Sequence, residues 1–191
     1  MTRTAESGTR ARTRRAIITA AAAVLVERPT ASLSDVADAA EVARSTVHRY
    51  FRDRGELMTA LADHVVERAD AAMTEAALDV GTSADALRRL ATSCFDLGPL
   101  LLFLVRELAV VDNDHPLMRR LEESDDPVTA LVRRGLDDGT LDPAFDAEWI
   151  RSVFWAVVYT GWEAVDEGRA PRPSAIAAVV RTLEKALFAR A

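Results

Sequence analysis

The sequence predicts an all-α protein in two parts. Apolar residues recur at i, i+3, i+4 and i+7 in segment after segment, and no stretch alternates with the two-residue period of a strand. Pro29, Gly81, Gly98-Pro99, Gly139, Pro143 and Pro171 interrupt those segments, and no internal repeat links them. Charge divides the chain as well. The first 57 residues hold ten arginines against seven acids, a net +3, while the remainder carries −9. The overall −6, which taken alone argues against a nucleic-acid partner, is therefore a sum of opposed parts. At 191 residues, 49% apolar and 28% charged, the chain suits one soluble domain or two small ones sharing a core. A single cysteine, Cys94, excludes an intramolecular disulfide and a Cys-rich zinc site.

The first helix is expected from about Ala16. Arg10, Arg12, Arg14 and Arg15 precede the run Ala16–Val26, an arrangement that resembles a secretory signal. The run is short of the ~20 apolar residues that span a bilayer. Ile17, Ala20, Ala21 and Val24 instead form one helical face, Pro29 stops it, and no small-residue cleavage site follows. A cytoplasmic helix is the better reading. The residues before it, 1–12, are expected as a flexible arm.

A helix-turn-helix follows. Ser32 with Asp35 three residues on is an N-cap with an acidic partner, and Leu33, Val36, Ala37 and Ala40 make a two-turn helical face. Glu41-Val42-Ala43 makes the turn. The second helix runs from about Arg44 to Phe51, with Val47 and Phe51 pointing inward beside Val42. Its other face carries Ser45, His48, Arg49 and Arg52, flanked by Thr46 and Tyr50. Hydroxyl, imidazole and guanidinium groups without a carboxylate suit phosphates, and arginine pairs bidentately with guanine. The bland alternative is a solvated helix face.

The acidic remainder continues in helices. Met58, Leu61, Val65, Ala69 and Ala72 keep a stripe from Glu56 to about Asp79, ended by Gly81. Ser83, Asp85 and Ala86 open another with Leu87, Leu90, Ala91, Cys94 and Phe95, and Gly98-Pro99 breaks or kinks it. Leu100–Val105 is apolar on every side and must be buried. Residues 112–116 read as a loop, and Val128 to Asp138 as a helix ending at Gly139. From Asp146 to Asp166, Ile150, Val153, Phe154, Val157, Val158 and Gly161 line one side, and Trp155, Tyr159 and Trp162 another. The last helix spans Ser174 to Ala189 with Ile176, Val179, Val180, Leu183 and Leu187 inward. A helix apolar on two sides in so small a domain needs two partners.

The stretch from Leu33 to Leu57, LSDVADAAEVARSTVHRYFRDRGEL, resembles the TetR family of transcriptional regulators. Val36-Ala37, Thr46-Val47, Tyr50-Phe51 and Leu57 match that family's pattern. Glu41 stands at its usual turn glycine, Ala43 at its capping serine, His48 at its tyrosine and Arg54 at its lysine. A left-handed Glu41 costs about 1–2 kcal/mol, and the missing cap about 1 kcal/mol. The resemblance implies an N-terminal three-helix helix-turn-helix DNA-binding domain, residues 1–56. It implies a C-terminal helical ligand-binding and dimerisation domain, residues 57–191. It also implies a homodimer through the last two helices, holding double-stranded DNA as a repressor that a small hydrophobic effector releases.

By the same resemblance Thr46, His48, Tyr50 and Arg54 stand where phosphates are touched, and Arg44 and Ser45 where bases are read. Arg49 and Arg52 complete the expected face, and Arg10, Arg12, Arg14 and Arg15 are candidates to reach the DNA backbone or minor groove from a flexible arm, with a disordered, soluble tail the alternative. Phe95, Phe103, Trp155, Tyr159 and Trp162 are candidates to line an apolar effector cavity, with plain core or dimer packing the alternative for each. Cys94 is expected as a small core residue, and His64 and His115 lack a paired metal-ligand motif. No glycine-rich phosphate loop and no nucleophile beside a base is present, so no catalytic site, cofactor or metal is expected. The competing reading is a helical ligand-binding or scaffold protein with a degenerate head.

Overall fold

The computed structural model describes residues 2–111 and 127–189. It divides into two compact units, residues 1–66 with 103–113, and residues 67–102 with 114–191. The boundary thus falls at Val66 rather than at 56, and a segment distant in sequence joins the first unit. Periodicity along a helix marks its buried face but not which distant segment covers it. The expected loop at 112–116 and His115 lie outside the described residues.

In the first unit α1 runs Thr2–Glu27, α2 Leu33–Ala39, α3 Arg44–Tyr50, and α4 begins at Arg54, ending at Glu75. Residues 2–12, expected as a flexible arm, belong to α1. Alanine and arginine are strong helix formers, and no proline interrupts the segment. The buried face of α1 is also rotated from the expected one, being Ile17, Ile18, Ala21 and Leu25, with Ala20 and Val24 half-buried. α1 packs on α2, and α2 on α3.

The N-terminus of α2 is a capping box. Asp35 N–H donates to Ser32 Oγ at 3.3 Å, and Ser32 N–H donates to the Asp35 carboxylate at 2.7 Å. The Ser32 hydroxyl also donates to the Asp35 carboxylate at 2.5 Å, and this bond first, then the one from Ser32 N–H, holds Asp35 below the usual carboxylate range. At the other end Glu41 N–H donates to Asp38 C=O at 3.1 Å and Val42 N–H to Ala37 C=O at 3.0 Å. That pair of bonds is a Schellman closure, which needs a left-handed residue at its centre. Glu41 takes that conformation, with φ 54°. Ala43 then precedes α3 with extended backbone and no side-chain cap. Both departures in the turn therefore have the physical consequences expected of them.

The second unit contains the rest of α4, then α5 (Ser83–Ser93), a 3₁₀ turn (Cys94–Leu97) and the start of α6 (Gly98–Val111). It continues with α7 (Pro127–Asp137), α8 (Ala147–Asp166) and α9 (Arg172–Leu187). One buried cluster unites them, including Leu87, Leu90, Phe95, Leu131, Ile150, Phe154, Trp162, Val179 and Leu183. α8 and α9 pack closely because position 161 is glycine. A Cβ there would stand 2.5 Å from Val179 Cγ2 and 3.1 Å from the Phe95 ring. Gly98 leaves room in the same way for the Trp162 indole, which would lie 2.4 Å from an added Cβ. An isolated antiparallel bridge, Leu141 with Phe188, ties the α7–α8 connection to the end of α9.

Candidate DNA-binding face

The outer side of α3 is held up by its inner side. Val47 and Phe51 are buried with Val36, Ala37 and Leu57, so the remaining residues of this two-turn helix must face outward. Arg44, Ser45, His48 and Arg49 are exposed, and Thr46 and Tyr50 are half-buried at the edges. The helix itself contains no carboxylate. The structure thus brings six of the eight expected residues onto one short helix.

Arg52 is a correction. α3 ends at Tyr50, and Phe51 has turned to an extended backbone with φ −138° and ψ 111°. Arg52 is therefore not the next member of the helical stripe. Its guanidinium is paired with Glu56, whose other oxygen accepts from Arg52 N–H at 2.7 Å. Arg52's bonds depress the Glu56 pKa, and Glu56 raises that of Arg52. Asp53, unnoticed in the sequence, caps α4 by accepting from Glu56 N–H at 2.9 Å.

Arg54 serves the fold. Its guanidinium donates to the backbone carbonyls of Pro29 at 2.6 Å and Ala31 at 2.9 Å, and reaches Glu107 of α6 at 3.5 Å. It thereby fixes the start of α4 against the α1–α2 connection. A charged donor to otherwise open carbonyls is worth more than an exposed ion pair. The first-helix arginines also gain definition. Arg10 lies over the Tyr50 ring at 6.0 Å and Arg14 over the Phe51 ring at 5.5 Å, with Arg49 on Tyr50 at 5.5 Å. The i, i+4 spacing of Arg10 and Arg14 was the signal for this pairing.

The five aromatics expected to line a cavity do not form one set. Phe95 and Trp162 are buried in the second unit's cluster, and Trp155 is half-buried against it, edge-on to Phe154 with ring centroids 5.1 Å apart. Phe103 is buried but belongs to the first unit. Tyr159 is exposed. Although the spacing of Trp155, Tyr159 and Trp162 places them on one helical side, α8's neighbours cover only part of it. Trp162 Nε1 is buried with no hydrogen-bond partner among the described residues, which is costly for an indole N–H. Cys94 is buried, and desolvation pushes its thiol up to about 12.

A capped helix, a tight turn and a second helix with an exposed cationic face define a helix-turn-helix DNA-binding protein. Residues 17–61 match the family model described as bacterial regulatory proteins, tetR family. The chain is 40% identical over 183 residues to the HTH-type transcriptional repressor LfrR of Mycolicibacterium smegmatis, spanning 96% of this chain and 94% of that protein. It is 29% identical over 155 residues to the HTH-type transcriptional regulator NfxB of Pseudomonas aeruginosa, spanning 81% and 83%. The crystal structure of LfrR in complex with proflavine superposes with a TM-score of 0.76 at 39% identity, covering 92% of this chain and 96% of that one. The chain belongs to the TetR family and is a transcriptional regulator rather than an enzyme. Among the described residues no helix is long and apolar enough to cross a membrane.

Proposed function

We propose that this regulator is a homodimeric repressor whose two heads hold a palindromic operator and whose body releases it on binding a small hydrophobic molecule. The observation that carries the reading is the outer face of α3, exposed at Arg44, Ser45, His48 and Arg49 and free of carboxylates. Its short helix fits a major groove, with Arg44 and Ser45 toward base edges and Thr46, His48, Arg49 and Tyr50 toward phosphates. Kinship with LfrR supports repression as the outcome.

Dimerisation is assigned to α8 and α9. Ala156, Tyr159 and Thr160 on α8 and Ala178, Arg181 and Thr182 on α9 stay exposed beside the buried cluster. The small side chains of Ala156, Thr160, Ala178 and Thr182 suit close approach of a second copy. The effector site is assigned to the body around Trp162, with Phe95 and Trp155. The unpartnered Trp162 Nε1 supplies a buried donor for a ligand acceptor. Proflavine, bound by LfrR, is the first compound to test. Release is a population shift toward a head separation that no longer matches the operator. The Arg54–Glu107 contact, at 3.5 Å, gives the α6 end a direct hold on the head.

Selection of binding sites from a genomic library at physiological salt tests this. A repressor of this kind enriches one palindrome, with half-sites spaced for a dimer, and loses it when proflavine is added. A scaffold with a degenerate head enriches no motif. Light scattering should return twice the 20.8 kDa chain mass.

A further inference from the structure

The first unit contains a cleft of about 370 Å³ between α1 and α3, lined by Arg10, Ala11, Arg14, Arg49 and Tyr50. Three arginines line it, and among the described residues none of the three is paired with a carboxylate. Like charges repel, yet the fold places them together by resting each on an aromatic face, Arg10 and Arg49 on Tyr50 and Arg14 on Phe51. The stacking orients the planar forks, and among the described residues no carboxylate takes their donors. All three arginines are exposed. The neighbouring arginines are different: Arg12 donates to Thr9 on its own helix at 3.2 Å, and neither Arg12 nor Arg15 lines the cleft.

We propose that this cleft seats one backbone phosphate of the bound DNA, gripped jointly by Arg10, Arg14 and Arg49. α1 thereby becomes part of the DNA interface and contributes sequence-independent affinity, while the rest of α3 reads bases. The inference rests on the DNA-binding reading above and adds a specific anion site to it. Arg49 is the hinge between the two, since it stands both on the outer face of α3 and in the cleft. The ligand chemistry is that of a phosphodiester with its sugar, for which a three-arginine cleft of this size has donors to spare.

Binding of the full-length protein to its selected operator, and to unrelated duplex DNA, is measured by fluorescence anisotropy from 50 to 200 mM salt. Each phosphate neutralised contributes about 0.9 to the slope of log K against log salt. R10A/R14A should therefore lower the slope by about 0.9 per head, which makes its affinity deficit shrink about 3.5-fold per head across that range. The deficit should be the same on operator and unrelated DNA. R10A and R14A singly should not add up to twice that change, because they share one phosphate. R12A/R15A should alter the slope by less than half as much. If loss of Arg14 unfolds the head, R10E puts a carboxylate in the cleft with the Arg14–Phe51 contact intact, and should give the same slope change. An unchanged slope, a loss confined to the operator, or an equal loss in R12A/R15A overturns the proposal. So does binding of inorganic tripolyphosphate that leaves DNA affinity untouched. Failure of the wild type to select any DNA would instead overturn the function on which the proposal rests.

Discussion

Replacing Glu41 by glycine should stabilise the head. Glu41 sits at φ 54°, in the left-handed region, as the central residue of the closure that ends α2. A side chain there costs about 1–2 kcal/mol. Glycine removes that strain but gives the unfolded chain more freedom, which takes back about 0.4–1 kcal/mol. The net gain is about 0.5–1 kcal/mol. Two residues on, Ala43 has the extended backbone of an N-cap and no oxygen to offer. Ala43→Ser should add about 1 kcal/mol by accepting from an open N–H of α3's first turn. The pair together should raise the head's melting temperature by a few degrees. Urea unfolding followed by circular dichroism reads both. The control is Glu41→Ala, which keeps the Cβ and the strain and should gain nothing. If Glu41→Ala and Glu41→Gly behave alike, or Glu41→Gly destabilises, the strain argument is wrong.

Four further outcomes follow from the same geometry. Gly161→Val should destabilise the second unit by about 1–3 kcal/mol or more, because its Cβ would enter Val179 and Phe95; thermal melting checks it. Cys94, its thiol pushed up to about 12 by burial, should resist iodoacetamide at pH 8 until the protein unfolds, as mass spectrometry would show. The Asp35 pKa is lowered by its bonds to Ser32, so its contribution is full above the ordinary aspartate range. That contribution is lost as pH falls through the depressed value, and Asp35→Asn should flatten that acid limb of the stability curve. Glu107→Gln should leave operator affinity within a few-fold of wild type, while reducing the effect of any releasing ligand in the same anisotropy assay.

Local features were the legible ones. The capping box at Ser32 and Asp35, the strained Glu41 and the inward pair Val47 and Phe51 depend on neighbours a few residues apart, and the structure has each of them. The exposed helical stripe was legible as far as Arg49 but not its end before Arg52, because only the actual end of α3 decides where a helical stripe stops. The structural bonds of Arg54 are illegible for a related reason: its acceptors, Pro29 and Ala31, are distant in sequence and are backbone atoms, which no side-chain pattern reveals. The same limit applies to the body's aromatics. Their spacing placed them on one side of α8 but could not say that Trp162 would be buried against Gly98 while Tyr159 stayed exposed. The expected arm is helix because alanine and arginine continue α1 back through it without a proline.

The central claim is that α3 reads DNA through its outer face, and Arg49→Ala tests it most directly. Arg49 is exposed, and among the described residues it shares in no ion pair and only stacks on Tyr50, so its loss should leave the head folded and cost at most about 1 kcal/mol of stability. Titrated against the selected operator at physiological salt, the variant should bind about tenfold more weakly, because each head loses a charge-assisted contact to the DNA backbone. Operator affinity equal to the wild type in a folded Arg49→Ala protein would contradict the account.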